Sequence, residues 1–407
     1  MKKRLRSLSV VFMLNVVSFA GAACTAPPTT LRVALFPYIP DAAGDRFAAL
    51  RQRMKAEFEA ENPGVQLAMD PIDVNSTVFY DLQKLERLLS AGPDGGVDVV
   101  ETDTLFLGEL IADDKIERWD ALPRSNDWHP AAVAAVTVNG ECYGVPHWLC
   151  SFFIYSHIPE MTAVRTSDDF VRLLDTRGVC KTHLAGNFVG SFTLPAIYLD
   201  AYVETHGRAS AATGLARPVD GRIAEKMKAV VKEGEHDGKN PCIDGTLKDD
   251  KDIDAVVPDF ALGKYDSFFG YSERLQHILA DNPKAQPWTI IAAPLGAGGA
   301  PLLYVDALVI RKGLTPEQAK AAKSFAEYLN RPTTQEWVLL SRDGNNAMPR
   351  YLLPATKSAF EAPGVRSDRY FGVFEAQIAN GGAMPNSGYL ERKDAMKTDL
   401  LKMLSGN

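Results

Sequence analysis

The chain has 407 residues, of which 46% are hydrophobic, so it can bury a large core, and its length predicts two domains. It contains 44 Lys and Arg residues and 51 Asp and Glu residues. Four of the basic residues lie within residues 1–23, which contain no acid, so the remaining chain has 40 basic and 51 acidic residues and a net charge of −11. This acidic balance argues against nucleic acid as a partner.

Residues 1–23 have the pattern of a secretory signal peptide. Four basic residues precede an apolar stretch over residues 8–20, and small residues follow it. The apolar stretch is roughly 13 residues long, shorter than the ~20 that a membrane-spanning helix requires. We therefore expect an exported protein, periplasmic or extracellular. Cys24 follows directly and leaves open a lipid anchor, although Gly21 stands where a larger aliphatic residue is expected in a lipidation signal.

The next part of the chain alternates between strand and helix patterns. Residues 31–36 and 65–69 are predicted as strands, with a helix over residues 43–61 between them. A helix over residues 80–89 and a strand over residues 97–101 repeat the pattern. Such alternation predicts a parallel sheet covered by helices.

Residues 146–300 have the pattern of a second α/β region. Its helix patterns lie near residues 167–175, 221–233 and 271–280. A strand is predicted over residues 301–310, and Thr315 followed by Pro316 marks the start of a helix that runs to Leu329.

The two regions predict two lobes. The first comprises residues 31–145 and about 305–345, and the second comprises residues 146–304 and about 346–407. Ligands of α/β proteins bind at the carboxyl ends of strands, so we expect a ligand site in the cleft between the lobes.

The sequence lacks the residue spacing of three kinds of functional motif. The seven histidines include no H-x-H or H-x-x-x-H pair, which argues against a catalytic metal. The glycine-rich residues 296–301 lack dinucleotide-binding spacing and lead into a strand. Residues 270–274 lack the final glycine of the serine-hydrolase motif G-x-S-x-G. We therefore expect neither a metal nor a cofactor.

Cys150 ends residues 143–150, where the chain is expected to cross between lobes. By itself, a cysteine among aromatic and aliphatic residues is a buried hydrophobe or one half of a disulfide. The sequence leaves the connectivity open. A pair formed by two of Cys142, Cys180 and Cys242 would keep Cys150 reduced, whereas a Cys142–Cys150 disulfide would block it.

Several segments, in the same order, resemble the thiaminase I (thiamine pyridinylase) family of exported enzymes. They are V-A-L-F-P-Y-I-P-D at 33–41, V-D-V-V-E-T-D-T-L-F-L at 97–107, Y-G-V-P-H-W-L-C at 143–150, F-G-Y-S-E at 269–273 and Y-V-D at 304–306. The resemblance implies a two-lobed, periplasmic-binding-protein-like (type II) α/β fold with a cleft between the lobes. It also implies cleavage of thiamine without a cofactor.

The resemblance assigns roles to individual residues. Cys150 matches the family's nucleophile, and Glu273 matches its base. The thiolate would add to the electron-poor pyrimidine ring of thiamine, the thiazole would leave, and a small amine or thiol would replace it. The matching substrate-binding residues are Tyr38, Tyr271 and Tyr304, which would contact the rings, and Asp98, Asp103 and Asp306, which would accept from the amino group and offset the positive charge.

The sequence departs from the family pattern at Phe36, where Tyr is expected, and at His147 and Trp148, where smaller or amide residues are common.

The alternative function is a solute-binding protein that delivers thiamine or a related pyrimidine to a transporter. The fold alone does not separate this binding protein from the enzyme. A third hypothesis, a binding protein for sugars or polyamines, predicts that Cys150 and Glu273 lie far apart. In each case we expect a monomer.

Overall fold

The computed structural model describes residues 27–37, 39–69, 77–90, 96–124, 126–178, 182–247, 250–281 and 288–405. The predicted signal peptide and Cys24 lie outside the described residues. The strands are β1 (Thr29–Ala34), β2 (Val65–Met69), β3 (Val99–Asp103), β4 (Thr137–Val138), β5 (Glu141–Cys142), β6 (Val145–Cys150), β7 (Phe153–Ser156), β8 (Leu184–Ala185), β9 (Ser267–Gly270), β10 (Thr289–Ala292), β11 (Leu302–Ile310), β12 (Leu353–Pro354) and β13 (Gly382–Ala383).

The helices are α1 (Ala48–Glu61), α2 (Leu82–Leu89), α3 (Leu107–Ala112), α4 (Pro130–Ala135), α5 (Ser167–Asp175), α6 (Thr193–His206), α7 (Ala211–Gly214), α8 (Gly221–Lys232), α9 (Asp250–Ala261), α10 (Arg274–Asp281), α11 (Pro316–Leu329), α12 (Pro332–Leu339), α13 (Lys357–Phe360), α14 (Pro363–Ser367), α15 (Arg369–Ile378) and α16 (Tyr389–Ser405). None of the described helices combines the length and apolar character that crossing a membrane requires.

The helix boundaries follow local capping chemistry. Thr315 forms a capping box and Pro316 occupies the first turn, so α11 begins where the sequence predicted. In contrast, α1 begins at Ala48, five residues later than predicted. Arg46 and Phe47 have φ angles of 59° and 60°, in the left-handed region, so the residues before them cannot continue the right-handed helix.

The larger sheet has the strand order β12-β6-β11-β3-β1-β2, and β13 pairs with β11. Strand β1 runs parallel to β2 and β3, as the strand–helix alternation predicted. Strand β11 runs antiparallel to both β3 and β6. The prediction of a parallel sheet is therefore wrong beyond the first three strands. The physical reason is that β6 and β11 connect directly to the other sheet and not through a covering helix.

The smaller sheet has the order β10-β7-β9-β8. The chain enters it between β6 and β7 and returns between β10 and β11. Residues 146–150, 302–304, 353–354 and 382–383 belong to strands of the larger sheet, although the sequence pattern assigned them to the second lobe. Helix α16 packs on α6 and α8.

A buried ion pair stabilises the region after α12. The Arg350 guanidinium donates to both carboxylate oxygens of Asp343, over 2.7 and 2.6 Å, and to the carbonyls of Pro40 and Val338. The two charged side chains are 0% and 1% exposed. Each of the three guanidinium nitrogens thus donates at least one hydrogen bond inside the protein.

Replacing Asp343 with alanine should lower the free energy of unfolding by about 3–5 kcal/mol, because it leaves a buried, unpaired guanidinium. Urea unfolding followed by circular dichroism measures the change. The matched control is Asp120→Ala, which breaks the exposed pair with Lys323 and should have a far smaller effect. Equal losses for the two variants would contradict the role of the buried pair.

Candidate active site

The pairing of three neighbouring strands brings together side chains that are far apart in the sequence. Asp306 of β11 lies opposite Asp103 at the end of β3. Tyr304 of β11 lies opposite Cys150 at the end of β6. Residues opposite each other in antiparallel strands have Cβ atoms roughly 4.5–5.5 Å apart. The larger sheet therefore presents two carboxyl groups, a phenol and a thiol within one small region.

The turn between β9 and α10 supplies a second wall. It carries Tyr271 and Glu273, and the buried hydroxyl of Tyr155 donates to the Tyr271 carbonyl over 2.7 Å and contacts the Ser272 carbonyl at 3.2 Å. Phe152 stacks on Tyr271, with ring centroids 4.9 Å apart. These contacts on both sides of the turn restrict the position from which Glu273 reaches the cleft.

These two walls enclose one pocket between the lobes. It is lined by Phe36, Tyr80, Asp103, Cys150, Phe192, Tyr271, Glu273, Tyr304 and Asp306. Both residues assigned catalytic roles from the sequence are in this set, together with four of the assigned binding residues. Tyr38 lies outside the described residues. Asp98 is described, and it does not line the pocket.

Asp98 instead forms hydrogen bonds with two other residues of the protein. One carboxylate oxygen accepts from the Arg311 guanidinium over 2.9 Å, and the other accepts the backbone N–H of Arg32, also over 2.9 Å. Asp98 directly precedes β3, whereas Asp103 ends it, and a strand rises about 3.3 Å per residue. The two aspartates of the same sequence segment therefore lie at opposite ends of the strand.

Three aromatic residues of the pocket were not predicted as site residues. The ring of Tyr80 lies 5.9 Å from that of Phe36 and 5.0 Å from that of Phe192. Tyr80 ends a short 3₁₀ turn of the first lobe, and Phe192 precedes α6 in the second, so their contact spans the cleft. Phe36 stood out in the sequence as a departure from the family pattern, but Tyr80 and Phe192 belong to no recognised motif.

The pocket is strongly acidic. Among the described residues that line it, none is a lysine, arginine or histidine. Burial raises the pKa of Asp103 to about 7, against the opposing effect of the Leu105 N–H that its carboxylate accepts. Burial, together with the charges of Asp103, Glu101 and Glu273, raises the pKa of Asp306 well above its ordinary value.

The same environment suppresses ionisation of the thiol. Burial first, and then the charges of Asp306, Glu273, Asp103 and Glu101, raise the pKa of Cys150 well above its ordinary value. The ligand-free protein therefore holds Cys150 as a thiol, and a positive charge in the pocket would favour the thiolate.

Asp103→Asn should change how stability depends on pH. An unfolded aspartate titrates near pH ~3.9, so between about pH 4 and 7 the folded protein holds a proton on Asp103 that the unfolded chain lacks. The contribution of Asp103 to the free energy of unfolding is largest below about pH 4 and falls by up to about 1.4 kcal/mol per pH unit as pH rises to about 7. Asparagine, which does not titrate, removes this loss.

Urea unfolding at several pH values between 4.5 and 7.5 measures the effect. The Asp103→Asn variant should become increasingly stable relative to the wild-type protein as pH rises. Asp120→Asn, at an exposed aspartate, is the control and should show no such trend. Wild-type and Asp103→Asn curves that stay parallel across this range would contradict the raised pKa.

The described cysteines are free thiols. Cys142 and Cys150 are half-buried and Cys242 is buried. The Cys142 thiol donates to the carbonyl of Gly144 over 3.2 Å. The disulfide that would have blocked Cys150 is therefore not formed, nor is a Cys142–Cys242 pair. Cys180, the other cysteine considered for a disulfide, lies outside the described residues.

The chain is similar to known proteins over most of its length. The family of bacterial extracellular solute-binding proteins matches residues 53–369. The chain is 25% identical to "Thiaminase-1" of Paenibacillus thiaminolyticus over 373 residues, which are 87% of this chain and 83% of that protein.

Two solved structures share the fold. Thiaminase I from Bacillus thiaminolyticus has a TM-score of 0.69 and 21% identity, covering 91% of this chain and 99% of that chain. Clostridium botulinum thiaminase I in complex with thiamin has a TM-score of 0.72 and 17% identity, covering 92% of this chain and 100% of that chain.

These similarities confirm the resemblance to thiaminase I and the binding-protein-like α/β fold expected from the sequence. Fold alone does not establish activity, because the same fold carries unrelated sites. The family match extends over most of the chain, and the chain therefore belongs to the bacterial extracellular solute-binding protein family.

Proposed function

We propose that this protein is an exported thiamine pyridinylase in which Cys150 is the nucleophile and Glu273 is the base. One observation carries the proposal: Cys150 and Glu273 line the same pocket, in a chain similar to thiaminase I. A binding protein for sugars or polyamines would not need a thiol beside a carboxylate. The pattern of residues 1–23 and the extracellular family support export, with a lipid anchor at Cys24 as an open alternative.

The pocket suits a cationic aromatic ligand. Thiamine carries a positive thiazolium ring, and the carboxyl groups of Asp103, Glu273 and Asp306 would offset that charge. Tyr271 and Tyr304 offer aromatic surfaces to a cation. The Tyr304 hydroxyl is buried and has no hydrogen-bond partner within the described part of the chain, which leaves it available to a polar atom of the substrate.

The reaction would begin only when substrate is bound. The thiazolium charge would offset the carboxylates that suppress ionisation of Cys150, and Glu273 would then take the thiol proton. The sulfur adds to the electron-poor pyrimidine ring. The bond between the bridging methylene and the thiazolium nitrogen breaks, its electron pair stays on nitrogen, and neutral thiazole leaves.

The second half of the reaction restores the cysteine. A small amine or thiol acceptor attacks the methylene carbon and loses its proton to Glu273, which has by then released the first proton to solvent. The carbon–sulfur bond breaks as the pyrimidine ring regains aromaticity, and its electron pair returns to Cys150. No cofactor is required by this sequence of steps.

The test is incubation of the wild-type protein with thiamine and an aromatic amine or a thiol, with chromatographic measurement of free thiazole and of the pyrimidine product. We expect thiazole release that depends on the acceptor. Thiamine that binds tightly and remains intact for hours would instead favour the alternative, a solute-binding protein that serves a transporter. Thiamine that neither binds nor breaks would contradict both functions.

A further inference from the structure

Two buried side chains near the site, His147 and Glu101, are hydrogen-bonded to each other and do not line the pocket. We propose that His147 is a positioning residue, which holds Glu101 through its ring and through Glu101 orders the Phe36 segment and the electrostatic environment of Cys150. His147 is one of the residues at which the sequence departs from the family pattern. The part of this proposal that concerns thiamine cleavage rests on the proposed function.

An irregularity in β6 creates the position of His147. Trp148 lies opposite Asp306, and Pro146 lies opposite the next residue of β11, Ala307, so His147 is an extra residue in the ladder. A residue of this kind in a β-bulge is released from regular strand pairing and its side chain takes a new direction. His147 lies three residues before Cys150 in the same strand.

The ring of His147 is held on Glu101. Its Nδ1 lies 2.5 Å from one carboxylate oxygen of Glu101, and both side chains are 3% exposed. Because a carboxylate is the acceptor, Nδ1 carries the proton of this hydrogen bond. The ring also contacts Trp148, with centroids 4.0 Å apart, and the His147 carbonyl accepts the N–H of Ala355. The Glu101 hydrogen bond and the Trp148 contact thus hold the imidazole, and the hydrogen bond from Ala355 holds the backbone of His147.

Glu101 connects this pair to the pocket. Its second carboxylate oxygen accepts the backbone N–H of Phe36 over 3.0 Å, and the ring of Phe36 lines the pocket. Glu101 lies in β3, two residues before Asp103. Its negative charge is also one of the charges that raise the pKa of Cys150 and of Asp306.

Both oxygens of Glu101 are therefore engaged, one with a donor from β6 and one with a donor from the segment after β1. Glu101 does not line the pocket, so it is not placed to act as the base there. Glu101 holds the backbone of Phe36 at hydrogen-bond distance from β3. Its negative charge is partly offset by the Nδ1–H of His147. Without the Nδ1–H donor, that charge is less compensated and acts more strongly on the thiolate of Cys150.

The test uses a readout that does not depend on thiamine cleavage. Alkylation of Cys150 by iodoacetamide, followed on its peptide by mass spectrometry across pH, reports the midpoint of thiol ionisation. His147→Ala should raise this midpoint by about 0.5 to 1 pH unit. His147→Asn, which places an N–H near the position of Nδ1, should keep the wild-type midpoint. Glu101→Gln, which removes the charge, should lower the midpoint.

A merely structural role would not produce shifts in opposite directions with rescue by asparagine. An unchanged midpoint in His147→Ala, or one in His147→Asn displaced as far as in His147→Ala, would overturn the proposal. If His147→Ala does not fold, as judged by circular dichroism, the wild-type-like midpoint of His147→Asn and the lowered midpoint of Glu101→Gln decide the outcome.

The second arm measures thiamine cleavage. We expect kcat/KM to fall about tenfold in His147→Ala and to return to near the wild-type value in His147→Asn, because small displacements of positioned groups reduce rates strongly. Wild-type kcat/KM in His147→Ala would overturn the proposal. If the wild-type protein does not cleave thiamine, the proposed function fails, while the alkylation arm still tests the role of His147.

Discussion

Replacing Cys150 with serine should reduce thiamine cleavage by at least about 10⁴-fold, because a neutral hydroxyl is a far weaker nucleophile than a thiolate. Thiamine binding should persist, since serine has nearly the shape of cysteine and leaves the acidic and aromatic lining of the pocket unchanged. Initial rates of thiazole release measure the first effect, and isothermal titration calorimetry measures the second.

The matched control is Cys142→Ser. Cys142 is also a half-buried free thiol, but it does not line the pocket, and its thiol donates to the carbonyl of Gly144, which serine can also do. This variant should cleave thiamine at close to the wild-type rate. If Cys150→Ser retained more than a small fraction of the wild-type rate, another group would have to be the nucleophile.

Glu273→Gln should lower kcat by about 10³-fold, because glutamine keeps the shape of the side chain but cannot take the thiol proton. The same change should make Cys150 easier to ionise, since the charge of Glu273 is one of the causes that raise the pKa of the thiol. We therefore expect faster alkylation of Cys150 and slower cleavage of thiamine in one variant. Steady-state kinetics and iodoacetamide alkylation measure the two effects.

Glu233→Gln is a suitable control, because Glu233 is a buried glutamate of the second lobe that does not line the pocket. It should leave both readouts close to the wild-type values. A Glu273→Gln variant with wild-type kcat would show that the proton is taken by a different base. Slow cleavage together with slow alkylation would contradict the conclusion that the charge of Glu273 suppresses ionisation of Cys150.

Short-range patterns in the sequence predicted many elements well. Strand β2 and helix α5 have the predicted bounds, and α11 begins at the predicted cap. In these cases neighbouring residues supply the deciding interactions, such as the capping box of Thr315. The start of α1 was predicted too early, because apolar spacing does not reveal that Arg46 and Phe47 adopt left-handed backbone angles.

The segment V-D-V-V-E-T-D at residues 97–103 contains three acids whose different environments the sequence does not predict. Its three acids are separated by only a few residues, but Asp103 lines the pocket, Glu101 holds His147, and Asp98 pairs with Arg311. The segment itself gives no reason to prefer one acid over another. Their roles depend on the strands and loops that lie beside each end of β3.

By itself, the sequence determined the candidate site residues: a cysteine and a glutamate in segments that resemble one enzyme family, together with aspartates and tyrosines near strand ends. Only the tertiary structure decided that Cys150, Asp103, Tyr304 and Asp306 meet, because the pairing of β3, β11 and β6 spans large sequence distances. The contact of Tyr80 with Phe192 across the cleft and the release of His147 by the irregularity in β6 depend on the same long-range packing. Such interactions leave no periodic signal in the chain, since each depends on a partner from a different segment.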